Sequence, residues 1–203
     1  MRSPILHHDG RPRAGRLTDM KKPSYPAASR AAREWLGFKR VYDRARVALE
    51  WDDERLFGRQ ASVSGWSPAD HLFHVCLASE LVVRNLRMLG KGPGGMVQEG
   101  GEPILEAQPI LASGILPRGE RAPRMVTPPD DFDRAFLADL VESGARDLER
   151  QSEAVAALID KPWTIPHQTL GPLTAEGWVR FARMHGVHHW RIVREVIAAG
   201  ADS

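Results

Sequence analysis

Residues 90–129 hold eight glycines and seven prolines in 40 positions, between two long stretches with helical periodicity. Helix interiors disfavour both residues, so this segment divides the chain. Antiparallel helices packed side by side need only a few linking residues. A link this long can run back along the molecule, so that the helix after it lies parallel to the helix before it. Its short apolar pieces, as in PILEAQPILASGIL, argue against a disordered low-complexity linker.

Apolar residues on either side recur at helical spacing. Trp35, Phe38, Tyr42, Ala45, Leu49 and Leu56 make one stripe, which predicts a first helix from about Ser29 to Phe57, followed by a turn at Ser62 to Trp66. In SGWSPADHLFHVCLASELVVRNLRML a second helix starts with Ser67 as cap, Pro68 at the first position and Asp70 completing a capping box. TPPDDF predicts a third helix capped by Thr127, with Asp130 closing the box, running to about Ile159. The loop KPWTIPHQTLGPLT leads to a fourth helix capped by Thr174 and ending near Gly200. No segment shows sustained strand alternation and no repeat is visible. Four long helices with one long crossover, between helices 2 and 3, predict an all-α four-helix bundle.

Composition narrows the function classes. The chain has 203 residues, 42% of them hydrophobic and 27% charged, as expected for one domain plus a tail. No apolar run approaches the roughly 18 residues of a membrane helix, and the N-terminus lacks the apolar core of a secretory signal. Residues 1–27 carry six Lys/Arg against two Asp/Glu, whereas the rest carries 22 against 24. The basic tone therefore belongs to a tail, 1–27, whose composition predicts disorder. A globular domain follows over 28–200. Met20 offers an alternative start, which would leave residues 1–19 outside the native protein, and His7 and His8 in this tail carry no functional weight. The body shows no basic stripe with interleaved aromatics, which argues against nucleic-acid binding. A lone cysteine, Cys76, excludes an internal disulfide and fits a reducing cytoplasm.

Three histidines fall in five positions of RFARMHGVHHWRIVREV: His185, His188 and His189. With His185 at 0° on a helix wheel, Trp178 falls at about +20°, His189 at about +40°, Ile192 at about −20° and His188 at about −60°. His185 and His189 thus lie inside the apolar stripe and His188 on its edge. Residues four apart face the same way, the spacing by which paired histidines in helical zinc motifs reach one ion. The Glu of the HExxH protease pattern is missing. The spacing alone leaves two readings open, ligands or hydrogen-bonded core histidines. In the second helix His74 borders the apolar face and His71 lies on it. One histidine from there plus His185 and His189 makes a three-His set, the ligand count of a catalytic zinc site with an open position; nickel or iron also suits imidazoles.

Those residues carry a family resemblance. GWSPADHLFHV resembles the second-helix motif of the DinB/YfiT-like family, where a Trp-Ser/Thr start is followed eight residues after the Trp by a ligand His, here His74. MHGVHHWR is similar to the family's C-terminal HxxxH, giving His185 and His189. PHQTLGPLTAEGWVRF resembles the HPxxGxLT…W segment of one branch, covering His167, Gly171, Leu173, Thr174 and Trp178, with Gln168 in place of Pro. Ile192 replaces a polar residue found in the related branch. The likeness spans residues 29–198. It implies a four-helix bundle in up-down-down-up order and a divalent metal, zinc or nickel, on His74, His185 and His189. Some members are thiol-dependent transferases or isomerases that use low-molecular-weight thiols such as bacillithiol or mycothiol.

The expectation is therefore a metal-dependent enzyme that transfers a low-molecular-weight thiol cosubstrate to a small-molecule electrophile. Asp70 and His188 are the nearest general-base candidates. His71 and His188 are read either as partners orienting a ligand ring or as partly exposed residues, and His167 as a loop residue bonded to backbone. Cys76, Trp66, Trp178 and Trp190 read as packing residues, with Trp190 also placed to line the site. A non-catalytic, stress-related metal-binding protein is the rival, with the helical surface serving homodimerisation. A plain helical interaction module with core histidines is the third reading.

Overall fold

The computed structural model describes residues 29–201, which are mostly helical. The basic tail at 1–27, with His7 and His8, lies outside them. The long helices are α1 (Arg30–Leu49), α3 (Pro68–Leu89), α5 (Arg134–Ala156) and α6 (Ala175–Ala201). Two short helices, α2 (Asp53–Phe57) and α4 (Ala107–Ser113), and a 3-10 turn at Arg124–Val126 lie between them. No described helix is long and apolar enough to cross a membrane.

Each long helix packs on two others: α1 on α5 and α6, and α3 on α5 and α6. Contacts along α1 and α6 rise together in sequence, from Arg30–Glu176 through Glu34–Arg180 to Val41 beside Gly186. Those between α3 and α5 do the same, from Phe73–Phe136 to Arg87–Asp147. Contacts run in opposed senses between α1 and α5 (Lys39–Glu149, Arg46–Glu142) and between α3 and α6 (His71–His189, His74–His185). Phe38, Leu86, Leu137, Val141 and Leu148 are fully buried between them, and burying such side chains stabilises a fold by about 1.5–3 kcal/mol each. Glu34, itself buried, joins α1 to α6 through Arg180 and Arg183.

Local chemistry sets the boundaries. In α3 the Ser67 side chain accepts from Asp70 N at 3.1 Å while Asp70 accepts from Ser67 N at 2.8 Å, the capping box expected. Thr174 accepts from Gly177 N at the start of α6. The long first helix is interrupted, because Asp52 accepts from Arg55 N at 2.8 Å and starts α2 afresh. The third helix begins later than Thr127. Two prolines, Pro128 and Pro129, bias the residues before them away from helical geometry. Thr127 instead donates to Pro123 O at 3.1 Å, and Asp133 caps α5 by accepting from Phe136 N at 2.8 Å.

The segment after α5 is not a plain loop. It forms strands β2 (Trp163–His167) and β3 (Gly171–Leu173), and the crossover adds β1 (Gln98–Glu99) to make an antiparallel sheet in the order β1-β2-β3. Ile165 faces Leu173 and Pro166 faces Pro172. Gly171 takes a φ of +78°, and an added Cβ there would lie 2.9 Å from Ile104 N, so the turn and the crossover meet only because the residue is glycine. The 90–129 segment is thereby anchored. Arg118 adds a two-pronged ion pair to Glu195 of α6, both contacts at 2.7 Å.

Candidate metal centre

Opposed packing of α3 and α6 brings their histidines face to face. His74 Nε2 lies 3.0 Å from His185 Nε2, and His189 Nε2 lies 3.1 Å from the same atom. The candidate ligand atoms of His74, His185 and His189 all fall within 4.8 Å of one another, close enough to hold a metal ion. For metal–nitrogen distances of about 2.0–2.1 Å, neighbouring donors sit roughly 2.9 Å apart at a right angle and about 3.4 Å apart at the tetrahedral angle. The two observed separations lie inside that window. Helix geometry supplies two donors from one element, since residues four apart share a face.

Two of the outer nitrogens are also held, those of His74 and His189. His74 Nδ1 lies 2.7 Å from Val126 O; a carbonyl only accepts, so Nδ1 carries the proton and Nε2 presents a lone pair. His189 Nδ1 lies 2.9 Å from His71 Nδ1, and His71 Nε2 lies 3.1 Å from Ser64 Oγ. A consistent assignment runs outward: His189 Nδ1–H donates to His71, and His71 Nε2–H donates to Ser64 Oγ, which also accepts from Trp66 N at 3.1 Å. This leaves His189 Nε2 as a donor toward a metal.

Burial favours the neutral imidazole that ligation needs. Desolvation pushes His185 and His189 well below the usual histidine value, with neighbouring histidines adding to the effect. It lowers His74 despite the opposing hydrogen bond to Val126, and lowers His71 to about 4. Trp66 closes one side, its ring centroid 5.0 Å from that of His74 and 5.3 Å from that of His71. Phe181 stacks on His185 with centroids 5.4 Å apart.

The other singled-out residues separate clearly. His71 is an orienting partner within the cluster. His188 is partly exposed and meets His189 edge-on, outside the three-donor set. His167 stays in the hairpin, where its Nδ1 accepts from Thr169 N and Leu170 N, and burial lowers it to about 4. Asp70 is no base for this centre, because its Oδ2 accepts from Ser67 N and Oγ and pairs with Arg59 at 3.1 Å. Cys76 is buried, and desolvation raises its thiol far above the ordinary range. Trp178 is a core residue, while Trp190 packs on Trp51 at a tilt and lines a cavity of about 10 Å³ shared with His71 and His189. Trp66, Ser64 and the Val126 carbonyl are members that the helix pattern does not single out. For Trp66 a signal existed, the Trp-Ser start of the α3 motif.

Comparisons of the chain with protein-family models, with curated proteins and with solved structures return no match.

Proposed function

We propose that this chain is a DinB-like four-helix bundle in up-down-down-up order that holds one divalent metal, zinc or nickel, and works as a metal-dependent enzyme. The convergence of His74, His185 and His189 Nε2 at 3.0–3.1 Å is the observation that carries this reading. The opposed and matched contact senses of the long helices support the bundle order, and the motif resemblance supports the family. When bound, such a metal supplies a Lewis acid that acidifies a thiol or water at its open position near neutral pH.

The chain's own residues do the rest. Val126 O and His71 fix the rings of His74 and His189, so little reorganisation is needed on loading. Trp66 and Phe181 pack against the rings of His74 and His185. Burial raises the Cys76 thiol far above the ordinary range, so a reacting thiol would come from a low-molecular-weight cosubstrate and pass to a small electrophile, as in the thiol-dependent members of the family the motifs resemble. A reducing, cytoplasmic setting fits a free buried thiol.

A non-catalytic metal-binding role rests on the same three histidines and needs no open position at the metal. Metal content by mass spectrometry of untagged protein tests the shared premise. About one metal per chain is expected in wild type, with loss in each of His74→Ala, His185→Ala and His189→Ala. Retention in all three variants would return the histidines to the core. Loaded protein that turns over no thiol and electrophile pair, and exchanges no water at the metal, would leave the non-catalytic reading.

A further inference from the structure

A second concave site lies on the opposite side of α1 from α5, in the groove where α1 and α6 run side by side. It has a volume of about 300 Å³ and is lined chiefly by Arg33, Glu34, Gly37, Arg40, Arg44 and Arg183. On α1 the spacing 33, 37, 40, 44 puts three arginines and a glycine on one face. The Arg183 side chain lies across Gly37, where a Cβ would strike its Cδ and Cγ, so its aliphatic part forms the floor there. Glu34 is the acidic residue of the lining, and its two oxygens are already taken by Arg180 and Arg183. Asp43, the nearest acid in sequence to Arg40 and Arg44, pairs with Arg46 at 3.5 Å. Arg40 and Arg44 are exposed and have no carboxylate partner among the described residues, Arg44 resting over the Trp190 ring at 5.9 Å.

We propose that this groove binds a small compact dianion, carboxylate or phosphate in chemistry. Like charges at positions four apart repel, and a ligand offering paired oxygens relieves that repulsion through the forked donors of arginine. The volume matches a small-molecule site. A concave groove of four arginines, on a body whose residues 28–203 carry 22 basic and 24 acidic side chains, suits a small anion rather than the extended backbone of a nucleic acid. Arg44 also forms part of the wall of the small cavity beside His71 and His189. The inference stands whether or not a metal binds at the histidine centre.

Isothermal titration of the full, metal-loaded chain with inorganic phosphate, and separately with succinate, at low ionic strength tests it. Saturable one-to-one binding is expected for at least one of them, and the tighter of the two identifies the ligand as phosphoryl or dicarboxylate. Arg40→Gln and Arg44→Gln should each weaken it about tenfold, the loss of one charge-assisted contact, with metal content unchanged. Arg150→Gln, on α5, should leave it intact. The proposal falls if neither anion saturates, if Arg150→Gln weakens binding as much, or if duplex DNA binds where both small anions fail. It also falls if His185→Ala abolishes binding that both groove variants retain, which would place the anion on the metal.

Discussion

His71 shows how much a single side chain contributes without being a ligand. Its Nδ1 sits 2.9 Å from His189 Nδ1, and its Nε2 is anchored at Ser64. Replacing it with leucine leaves the His189 N–H unpaired and its ring free to turn. Partners of this kind typically change metal affinity by about 10–100-fold. We expect His71→Leu to weaken zinc affinity in that range, measured by competition with a chromophoric chelator, while the stoichiometry stays at one; unchanged affinity would remove His71 from the centre. At this scale the grouping of His74, His185 and His189 was legible in the sequence, from helical spacing and a motif. The Val126 carbonyl was not. Every residue has a carbonyl, and only the path of the crossover decides which one meets His74.

The approach of α1 to α6 depends on a side chain that is absent. Gly186 sits against Val41, and a Cβ on it would collide with Val41 Cγ2 and lie 2.8 Å from Cγ1. Alanine is the better helix former by about 1 kcal/mol, yet overpacking costs about 1–3 kcal/mol. Valine γ carbons have little room to move, so the collision outweighs the propensity. Gly186→Ala is expected to lower unfolding free energy by up to about 2 kcal/mol in urea titration, and because it lies between His185 and His189, to weaken metal binding too. A stabilised variant would mean that α1 and α6 are not in close contact there. The four long helices were readable from apolar periodicity, and the α3 boundary from its capping box. The hairpin was hidden for a physical reason: strands of five and three residues with Pro166 facing Pro172 show no alternation. Breaks such as the one between α1 and α2 are equally opaque, since Asp52 reads as one more polar helix residue until its cap forms.

Over the whole molecule, buried histidines tie stability to pH. Burial holds His167 near 4, against about 6.5 in an unfolded chain. Below 6.5 the unfolded chain takes up the proton first, so stability is full above that value and falls as pH drops toward 4. By pH 5 the loss from His167 alone is about 2 kcal/mol. The histidines of the centre shift in the same direction, so the metal-free chain should lose stability steeply between pH 6.5 and 5 in chemical unfolding. His167→Asn should make that dependence shallower by about one proton; an equal slope would show that the hairpin histidine titrates normally in the native fold. The crossover that first divides the sequence has a consequence at this scale. Its Val126 carbonyl seats the His74 ring, and Arg118 fastens it to Glu195. By reciprocity, whatever free energy the seated segment lends to metal binding, metal binding returns to the segment. The glycine- and proline-rich stretch is in this sense a latch, and its resistance to a protease would report whether the centre is loaded.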